Sequence, residues 1–236
     1  MSADISARLR RLADADRVSV LQSFFKTGSG GYAEGDVFIG VTVPDLRRLC
    51  RECRGAGIPE TLPLLASPIH EERALALLLL IDAFVRGTDA DRRAIYRLYL
   101  ANTRYVNNWD LVDCSAAPIA GAWLFTRSRA PLSRLARSSS VWERRIAIIA
   151  THYFIRKNDF DETFRIADLL LDDEHDLIHK AVGWMLREAG NRDPRAERRF
   201  LKPRYARMPR TMLRYAIEKF PEAERRRYLT GTIRAR

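Results

Sequence analysis

Apolar side chains recur along this chain at intervals of three and four residues, the spacing that gathers them on one face of an α-helix. The alternating pattern typical of a β-strand is nearly absent, and the short segment 37–41 (VFIGV) is its only candidate. We therefore predict an all-α protein of about ten to twelve helices joined by short loops. One longer loop is expected over 26–36, where glycine and polar residues are concentrated.

Five capping patterns mark predicted helix starts, each with an acidic residue three positions after the cap. The predicted caps are Thr88, Asn107, Ser140, Asp159 and Asp173. Asn107 and Ser140 are 33 residues apart, and Ser140 and Asp173 are again 33 residues apart. Each interval has room for two helices, 107–127 with 130–138 and then 140–157 with 159–172. Helix pairs at this period are typical of a stacked solenoid, whose concave surface suits an extended ligand.

No linker or low-complexity segment divides the chain, so we predict one helical domain over 1–236. The helices within 1–30 and the tail from about 221 onward are its least clearly patterned parts. First-turn prolines, which helices tolerate, are expected at Pro68, Pro194 and Pro209.

Nothing in the sequence resembles a targeting or membrane-spanning segment. The N-terminus is polar, and the longest apolar run, 74–85, is too short to cross a bilayer and already contains Asp82. The three cysteines do not make a disulfide framework, which fits a reducing compartment. We expect a cytoplasmic, monomeric protein that makes no contact with a membrane.

The charge of the chain predicts an anionic partner. Lysine and arginine number 41 against 30 acidic residues, which gives a formal net charge of +11. Such an excess predicts attraction to nucleic acid first and to an anionic membrane surface second. The preference for arginine over lysine can reflect genome base composition, but base composition explains the net excess less well. Apolar residues make up 47% of the chain, so it is globular and not a disordered polycation.

Two patterns resemble metal sites without completing one. Cys50 and Cys53 form a single C-x-x-C, whereas a structural zinc site requires four ligands. We expect both thiols on the helix that begins near Pro44, with one of them buried. His175 and His179 resemble the zincin helix, but the acid between them is aspartate where that pattern has glutamate, and no clear third ligand follows. We predict neither a metal nor a cofactor.

An aromatic residue and an acid share one helix face near the middle of the chain. Trp109 and Asp113 are four residues apart at a predicted helix start, and small residues follow at 116, 117 and 120. One interpretation is a helix N-terminus with favourable acids in its first turns. The other is a site in which an aromatic wall stands beside a negative charge. Asp110 is predicted to have a first-turn role only.

A second group of aromatic and basic residues lies further along the chain. Trp184 falls at the edge of an apolar helix face, with Lys180 four residues before it and Arg187 three residues after it. Arg145, preceded by Arg144, flanks the apolar stripe of an earlier helix. Taken singly, each has an ordinary interpretation, namely a tryptophan at a helix contact or an arginine in solvent.

Three segments of the chain resemble a known family. NNWDLVD (107–113), WERRIAI (142–148) and IHKAVGWMLRE (178–188), in this order and spacing, resemble the AlkD-type DNA alkylation repair glycosylases. The similarity extends over roughly 30–220 and includes FIGVTVPDLRRL (38–49) and MPRTMLRYAIEKF (208–220). It implies a right-handed superhelical solenoid of HEAT-like helix pairs whose concave basic face holds duplex DNA. It also implies a bacterial enzyme that excises cationic alkylated purines.

The resemblance also assigns individual residues. By motif, the catalytic residues fall on Trp109, Asp113 and Trp184, and the DNA-facing arginine falls on Arg145. Because Arg144 precedes it, either arginine is a candidate for the phosphate contact. Two flanking cations, Lys180 and Arg187, are further candidates for DNA binding. The expected partner is double-stranded DNA that contains alkylated purines, with the cytoplasmic protein associated with the nucleoid when bound.

The chemistry implied by the resemblance suits an acid between aromatic rings. An N7- or N3-alkylated purine is a cation that leaves as a neutral base, so no general acid is needed. A carboxylate such as Asp113 can stabilise the positive charge that grows on the deoxyribose and can orient water. The alternative is a non-catalytic HEAT-like DNA-binding or scaffold protein. A scaffold has no use for an acid that faces phosphates, so Asp113 favours a monofunctional alkylpurine glycosylase.

We expect the affinity of this protein for duplex DNA to fall steeply as salt increases. Each phosphate that is neutralised releases counterions and contributes about 0.9 to the slope of log K against log salt concentration. Fluorescence anisotropy with a labelled duplex measures this slope. A slope close to zero would contradict an interface dominated by phosphate contacts.

Overall fold

The computed structural model describes residues 2–233, and it confirms the predicted all-α class: none of these residues forms a β-strand. The strand candidate 37–41 contributes only an isolated bridge between Val37 and Ile69. The chain forms two compact units, one up to Ser115 and one from Ala116. The single domain, the right-handed superhelix and the concave basic face stay predictions, and residue 1 and residues 234–236 of the predicted domain lie outside the described residues.

Over its described residues, 2–115, the first unit is built from seven helices. They are α1 (Ser2–Arg10), α2 (Ala15–Phe25), α3 (Val43–Glu52), α4 (Ile58–Leu65), α5 (His70–Arg86), α6 (Asp89–Ala101) and α7 (Trp109–Ala116), with a 3₁₀ turn at Thr103–Tyr105 and the last residue of α7 beyond the unit. The non-helical segment 26–42 between α2 and α3 confirms the predicted long loop. Thr88 begins α6 with the predicted capping box, in which Asp91 is the reciprocal partner.

Shorter segments alternate with longer helices in the second unit. A π-helical turn (Ala117–Gly121) leads into α8 (Ala122–Leu124), α9 (Ala130–Ala136), α10 (Val141–Ala150), α11 (His152–Ile155), α12 (Asp161–Leu169), α13 (Asp176–Arg192), α14 (Pro194–Leu201), α15 (Arg210–Ala216), a 3₁₀ turn (Ile217–Lys219) and α16 (Glu222–Leu229). Helix α10 packs against α9 and α13, and α13 packs against α14 and α15. Helices α10 and α11 also pack against α12, which confirms the second predicted helix pair, and the first pair stays a prediction. Interruptions make the helical segments more numerous than predicted.

The predicted helix starts are partly wrong. Ser140 caps α10 as predicted, with its Oγ accepting from the Glu143 backbone N–H. However, α7, α12 and α13 begin one or two residues later than predicted, so the starts of α7, α10 and α13 are 32 and 35 residues apart. Two of the three misplaced caps form ion pairs instead: Asp159 with Arg129 and Asp173 with Arg144.

The first-turn prolines are also only partly confirmed. Pro194 is the first residue of α14, and Pro44, which the sequence placed near a helix start, lies in the first turn of α3. Pro209 is instead the N-cap of α15, and Pro68 precedes Ile69, the N-cap of α5.

Four consecutive polar residues, 70–73 (HEER), are buried at the N-terminus of α5. Burying charge costs free energy unless partners compensate for it, and here partners come from four other segments of the chain. Glu72 accepts hydrogen bonds from Ser6 Oγ at 2.6 Å and Arg10 Nε at 3.0 Å, which joins α1 to α5. Arg73 donates to the carbonyls of Ser67 and Pro68.

Glu71 fixes the end of the long loop. Its carboxylate, 2% exposed, accepts from the backbone N–H groups of Ile39, Gly40 and Val41, with the shortest bond at 2.9 Å to Gly40. Gly40 has a φ of +85°, and an added Cβ would lie 2.0 Å from the carbonyl oxygen of Asp14. Glycine is therefore required here by both the backbone conformation and the close approach.

The C-x-x-C thiols are both buried, whereas the sequence predicted one buried thiol. Cys50 lies on α3 as expected, but Cys53 is the C-cap of that helix and accepts a hydrogen bond from Arg8. Burial raises the pKa of both thiols, so they favour the neutral form.

The two histidines of the zincin-like pattern organise the start of α13. His175 is the N-cap and accepts from the Leu177 backbone N–H, and the His179 ring contacts the Asp173 carbonyl. Over residues 2–233, no group of three or more metal-ligating side chains is gathered. Within the same range, no helix combines the length and apolar character needed to cross a membrane.

We expect Glu71→Gln to lower the free energy of unfolding by about 2–3 kcal/mol, because the negative charge that strengthens the hydrogen bonds from the loop backbone is removed and the new amide N–H₂ group cannot accept. Urea unfolding followed by circular dichroism measures the change. Glu52→Gln is the matched control: Glu52 pairs with Arg8 at the surface, so its loss should cost less than about 1 kcal/mol. Equal losses in the two variants would contradict the role assigned to Glu71.

Candidate active site

The indole of Trp109 is held against the N-terminal part of the first unit. Trp109 is the first residue of α7 and is half-buried. Its ring stacks on Phe25 with 5.4 Å between centroids and meets the edge of Phe24 at 5.8 Å. Trp109 Nε1 donates to the Tyr32 hydroxyl oxygen at 3.1 Å. These contacts fix the ring orientation while leaving part of the indole accessible.

Asp113 lies one turn after Trp109 on α7, and it is also half-buried. Its charge acts on two neighbours, Tyr99 and Cys114. Burial raises the pKa of the Tyr99 hydroxyl, its hydrogen bond with Ser115 lowers it, and Cys114 and Asp113 raise it further. The pair predicted from the sequence therefore occupies the predicted helix, one turn apart.

Asp110 does more than the predicted first-turn role. It does lie in the first turn of α7, but its Oδ2 is 2.8 Å from Nε2 of the buried His70. The other ring nitrogen of His70 is 3.1 Å from Asp36, which also accepts from Arg73 and Asn108. Local sequence gave no sign of this network, because its members are far apart in the chain. An Asp110 variant is consequently not a neutral control for Asp113.

Arg47 is an exposed cation of the first unit that the sequence did not single out. It lies on α3, and its charge acts on the Cys114 thiol. Cys114 is an exposed residue, but desolvation of its sulfur and the carboxylates of Asp110 and Asp113 raise the pKa of the thiol, and Arg47 opposes the rise. Arg47 is thus a basic residue near the acids of α7.

Trp184 is held on α13 of the second unit by close helix packing. The preceding Gly183 allows α15 to approach, since an added Cβ would lie 2.5 Å from Tyr215 Cβ and from the Met212 carbonyl oxygen. Trp184 is half-buried and donates from Nε1 to Glu188 at 3.0 Å. The buried face predicted for this helix is confirmed at five positions, namely Leu177, Ile178, Ala181, Val182 and Met185.

His152 lies beside Trp184, with 6.0 Å between the ring centroids. Burial lowers the pKa of His152, Glu188 raises it, and the positive charges of Arg156 and Arg192 lower it further. This histidine is therefore neutral at physiological pH. Both arginines are exposed, which makes them basic surface residues that the sequence did not single out.

The two cations predicted around Trp184 are paired with acids in the fold. Lys180 lies 2.7 Å from Asp176 in an exposed pair on α13. Arg187 contacts Glu218 and lies 3.7 Å from Glu188. A role in DNA binding requires either residue to exchange or share these partners, and that role stays a prediction.

The two candidate arginines of α10 have different surroundings. Arg144 bonds Asp173 at 2.7 Å and donates to the carbonyls of Ser138 and Ser139, so its guanidinium joins the segments before α10 and α13. Arg145 is 5% exposed and donates to the carbonyl of Leu177 in the first turn of α13. Arg144 is half-buried and Arg145 is buried, and the phosphate contact stays a prediction for both.

A family model described as "DNA alkylation repair enzyme" matches residues 5–220. The chain belongs to the DNA alkylation repair enzyme family. This confirms the family resemblance drawn from the three motif segments, which all fall within the matched range. A comparison with curated proteins found no match.

Solved structures show the same fold at low sequence identity. A protein from Enterococcus faecalis, described as a predicted DNA alkylation repair enzyme, is 16% identical with a TM-score of 0.68. That similarity covers 89% of this chain and 97% of the other. AlkD2 from Streptococcus mutans is 15% identical with a TM-score of 0.56, covering 94% of this chain and all of its own. At such identities the likeness supports the all-helical fold of the family member described here.

We expect Arg144→Ala to lower the free energy of unfolding by about 2–4 kcal/mol, because it leaves the buried carboxylate of Asp173 without its ion partner. Urea unfolding measures the loss. Lys180→Ala is the surface control and should cost less than about 1 kcal/mol. If Arg144→Ala were as stable as wild type, the guanidinium would not have the structural role described above.

Proposed function

We propose that this protein is a monofunctional DNA glycosylase that removes N7- and N3-alkylated purines from duplex DNA by hydrolysis of the N-glycosidic bond. Membership of the repair family supports the substrate class. The observation that carries the reaction is a half-buried carboxylate, Asp113, one turn from the half-buried indole of Trp109. We assign the chemistry to Asp113 on its place beside Trp109, and we assign Asp110, which pairs with His70, a structural role.

The proposed reaction needs electrostatic stabilisation more than proton transfer. The alkylated purine is already cationic and departs as a neutral base, so positive charge develops on the deoxyribose. The Asp113 carboxylate stabilises that charge and orients the attacking water. The faces of Trp109 and Trp184 attract the cationic sugar or base, each contributing about 0.5–2 kcal/mol. No step requires a metal or a cofactor.

Binding to duplex DNA in this proposal depends on the basic surface. The net charge of +11 supports attraction to phosphates, and Arg144, Arg145, Lys180 and Arg187 are the candidates from the family motifs. Arg47, Arg156 and Arg192 are additional candidates, because their side chains are positively charged and exposed. We place the enzyme, as a monomer, in the cytoplasm with the nucleoid.

Removing the charge of Asp113 tests the assignment. We expect Asp113→Asn to slow release of 7-methylguanine from methylated duplex DNA by about 10²–10³-fold, the usual loss for one preorganised electrostatic contact. Released base is measured by chromatography and corrected for spontaneous depurination, which limits the observable range. Duplex binding should stay level or tighten, because a negative charge is removed from a surface that binds phosphates.

Asp89→Asn is the control for this experiment. Asp89 is an exposed acid at the start of α6, so its change removes one carboxylate from the same unit at little cost to the fold. Full activity in Asp113→Asn would show that this carboxylate does not stabilise the developing charge or orient the water. A wild-type protein no faster than spontaneous depurination would favour the non-catalytic DNA-binding alternative.

A further inference from the structure

His70 is placed between two acids from different segments of the first unit. It is the first residue of α5 and is 3% exposed. Nδ1 is 3.1 Å from Asp36 Oδ2 in the long loop, and Nε2 is 2.8 Å from Asp110 Oδ2 on α7. Both ring nitrogens therefore face a carboxylate oxygen.

Only the protonated imidazolium satisfies this arrangement. A neutral histidine has one N–H donor and one nitrogen lone pair, so one carboxylate would face a lone pair. The imidazolium donates to both acids. The ring of Phe38 stacks on the imidazole with 4.5 Å between centroids, and Phe25, which is itself stacked on Phe38, lies tilted against His70 at 5.0 Å. Aromatic faces favour a cation.

The charged groups around His70 balance one another. Asp110 faces it from α7, Asp36 faces it from the long loop, and Arg73 lies one turn further along α5. Burial alone lowers the pKa of His70, but the hydrogen bonds with Asp110 and Asp36 outweigh burial and raise it above the ordinary 6.5. Burial raises the pKa of Asp36, but hydrogen bonding by His70 and the charge of Arg73 lower it overall.

This network holds the first residues of α7. Asp110 is bonded to His70, and Asn108 donates to Asp36 at 3.1 Å while its own side-chain oxygen accepts the Trp109 backbone N–H at 2.8 Å. Trp109 lies between these two anchored residues, and its ring stacks on Phe25, which also covers His70. Asp113 follows Asp110 by three residues on the same helix.

We propose that His70, as an imidazolium, is a positioning residue for base excision: it anchors Asp110 and thereby fixes the start of α7 that carries Trp109 and Asp113. This inference rests on the glycosylase function proposed above. His70 touches neither DNA nor the reacting atoms in this role, and its effect on the reaction passes through α7.

The role predicts a pH dependence with a definite sign. Because the pKa of His70 is raised in the folded state, its stabilising effect is complete below pH 6.5 and is lost as pH rises through the raised value. Deprotonation removes one donor and turns a lone pair toward a carboxylate. The start of α7 then loosens, and excision should slow on the alkaline side.

The first test compares pH–rate profiles for 7-methylguanine release, corrected for spontaneous loss at each pH. The rate of the wild-type enzyme should decrease as the pH rises on the alkaline side. Asp110→Asn should move that decrease to lower pH, because one of the acids that raises the pKa of His70 is removed. His70→Gln should be roughly tenfold slower at neutral pH, and its rate should not decrease at alkaline pH.

His70→Arg keeps a permanent positive charge and several hydrogen-bond donors. It should therefore restore part of the rate, again without the decrease at alkaline pH.

His175→Gln is the matched histidine control. His175 caps α13 in the second unit. The excision rate of His175→Gln is expected to decrease at alkaline pH as the wild-type rate does. An unchanged profile in both His70→Gln and Asp110→Asn, with wild-type activity, would overturn the positioning role while leaving the glycosylase function standing.

Two measurements without substrate separate this inference from the proposed function. The ¹H–¹³C resonance of the His70 ring, assigned by its loss in His70→Gln, should titrate above pH 6.5. Fluorescence of Trp109, obtained as the difference between wild type and Trp109→Phe, should change over the same pH range. If the protein excised no alkylated base, these titrations would still show whether His70 controls Trp109. The inference would be overturned if His70 titrated below pH 6.5. It would also be overturned if Trp109 fluorescence did not change over the pH range in which His70 titrates.

Discussion

The ion network of Asp36, His70, Arg73 and Asp110 is the constraint on which the first unit depends. It joins the long loop, the N-terminus of α5 and the start of α7. A single buried ion costs several kcal/mol, so each member requires the others. Such a network adds little net stability but restricts the chain to one arrangement. With His70 as the proposed imidazolium, the formal charges of the two acids and two bases cancel.

The cancellation matters for the proposed chemistry. A network without net charge at the start of α7 does not cancel the negative electrostatic potential of Asp113, which stabilises a developing cation. It also explains why the two acids of α7 are not equivalent although they are three residues apart. Asp110 is used to hold the helix, whereas Asp113 lies beside Tyr99 and Cys114, whose pKa values respond to its charge.

The second unit uses arginine for a comparable structural purpose. Arg144 and Arg129 each join separate segments through an acid, and Arg145 binds the first turn of α13 through the Leu177 carbonyl. Arginine suits these positions because its planar fork bonds several acceptors at once. A large share of the basic residues is therefore engaged inside the fold. The cations that remain exposed, including Arg47 and Arg156, are the part of the charge available to a polyanion.

The local sequence determined the helical class and much of the helix pairing. The 3.6-residue period predicted the buried face of α13, and the capping patterns at Thr88 and Ser140 were correct, because each depends on residues within one or two turns. The motif segments also led to the repair family and to Trp109 and Asp113 on one helix. Where acids at Asp159 and Asp173 had a more distant arginine available, the same capping patterns predicted the wrong residue.

Only the tertiary structure decided the surroundings of the candidate site. In the sequence, residues 70–73 are an ordinary polar helix start, and nothing nearby predicts that all four are buried. Their partners, among them Asp36, Gly40 and Asp110, lie about 30 to 40 residues away in the chain. A charged side chain becomes stable in the interior only when the fold brings such partners within hydrogen-bond distance. That condition depends on the distances between segments in space, which local periodicity and capping patterns do not contain.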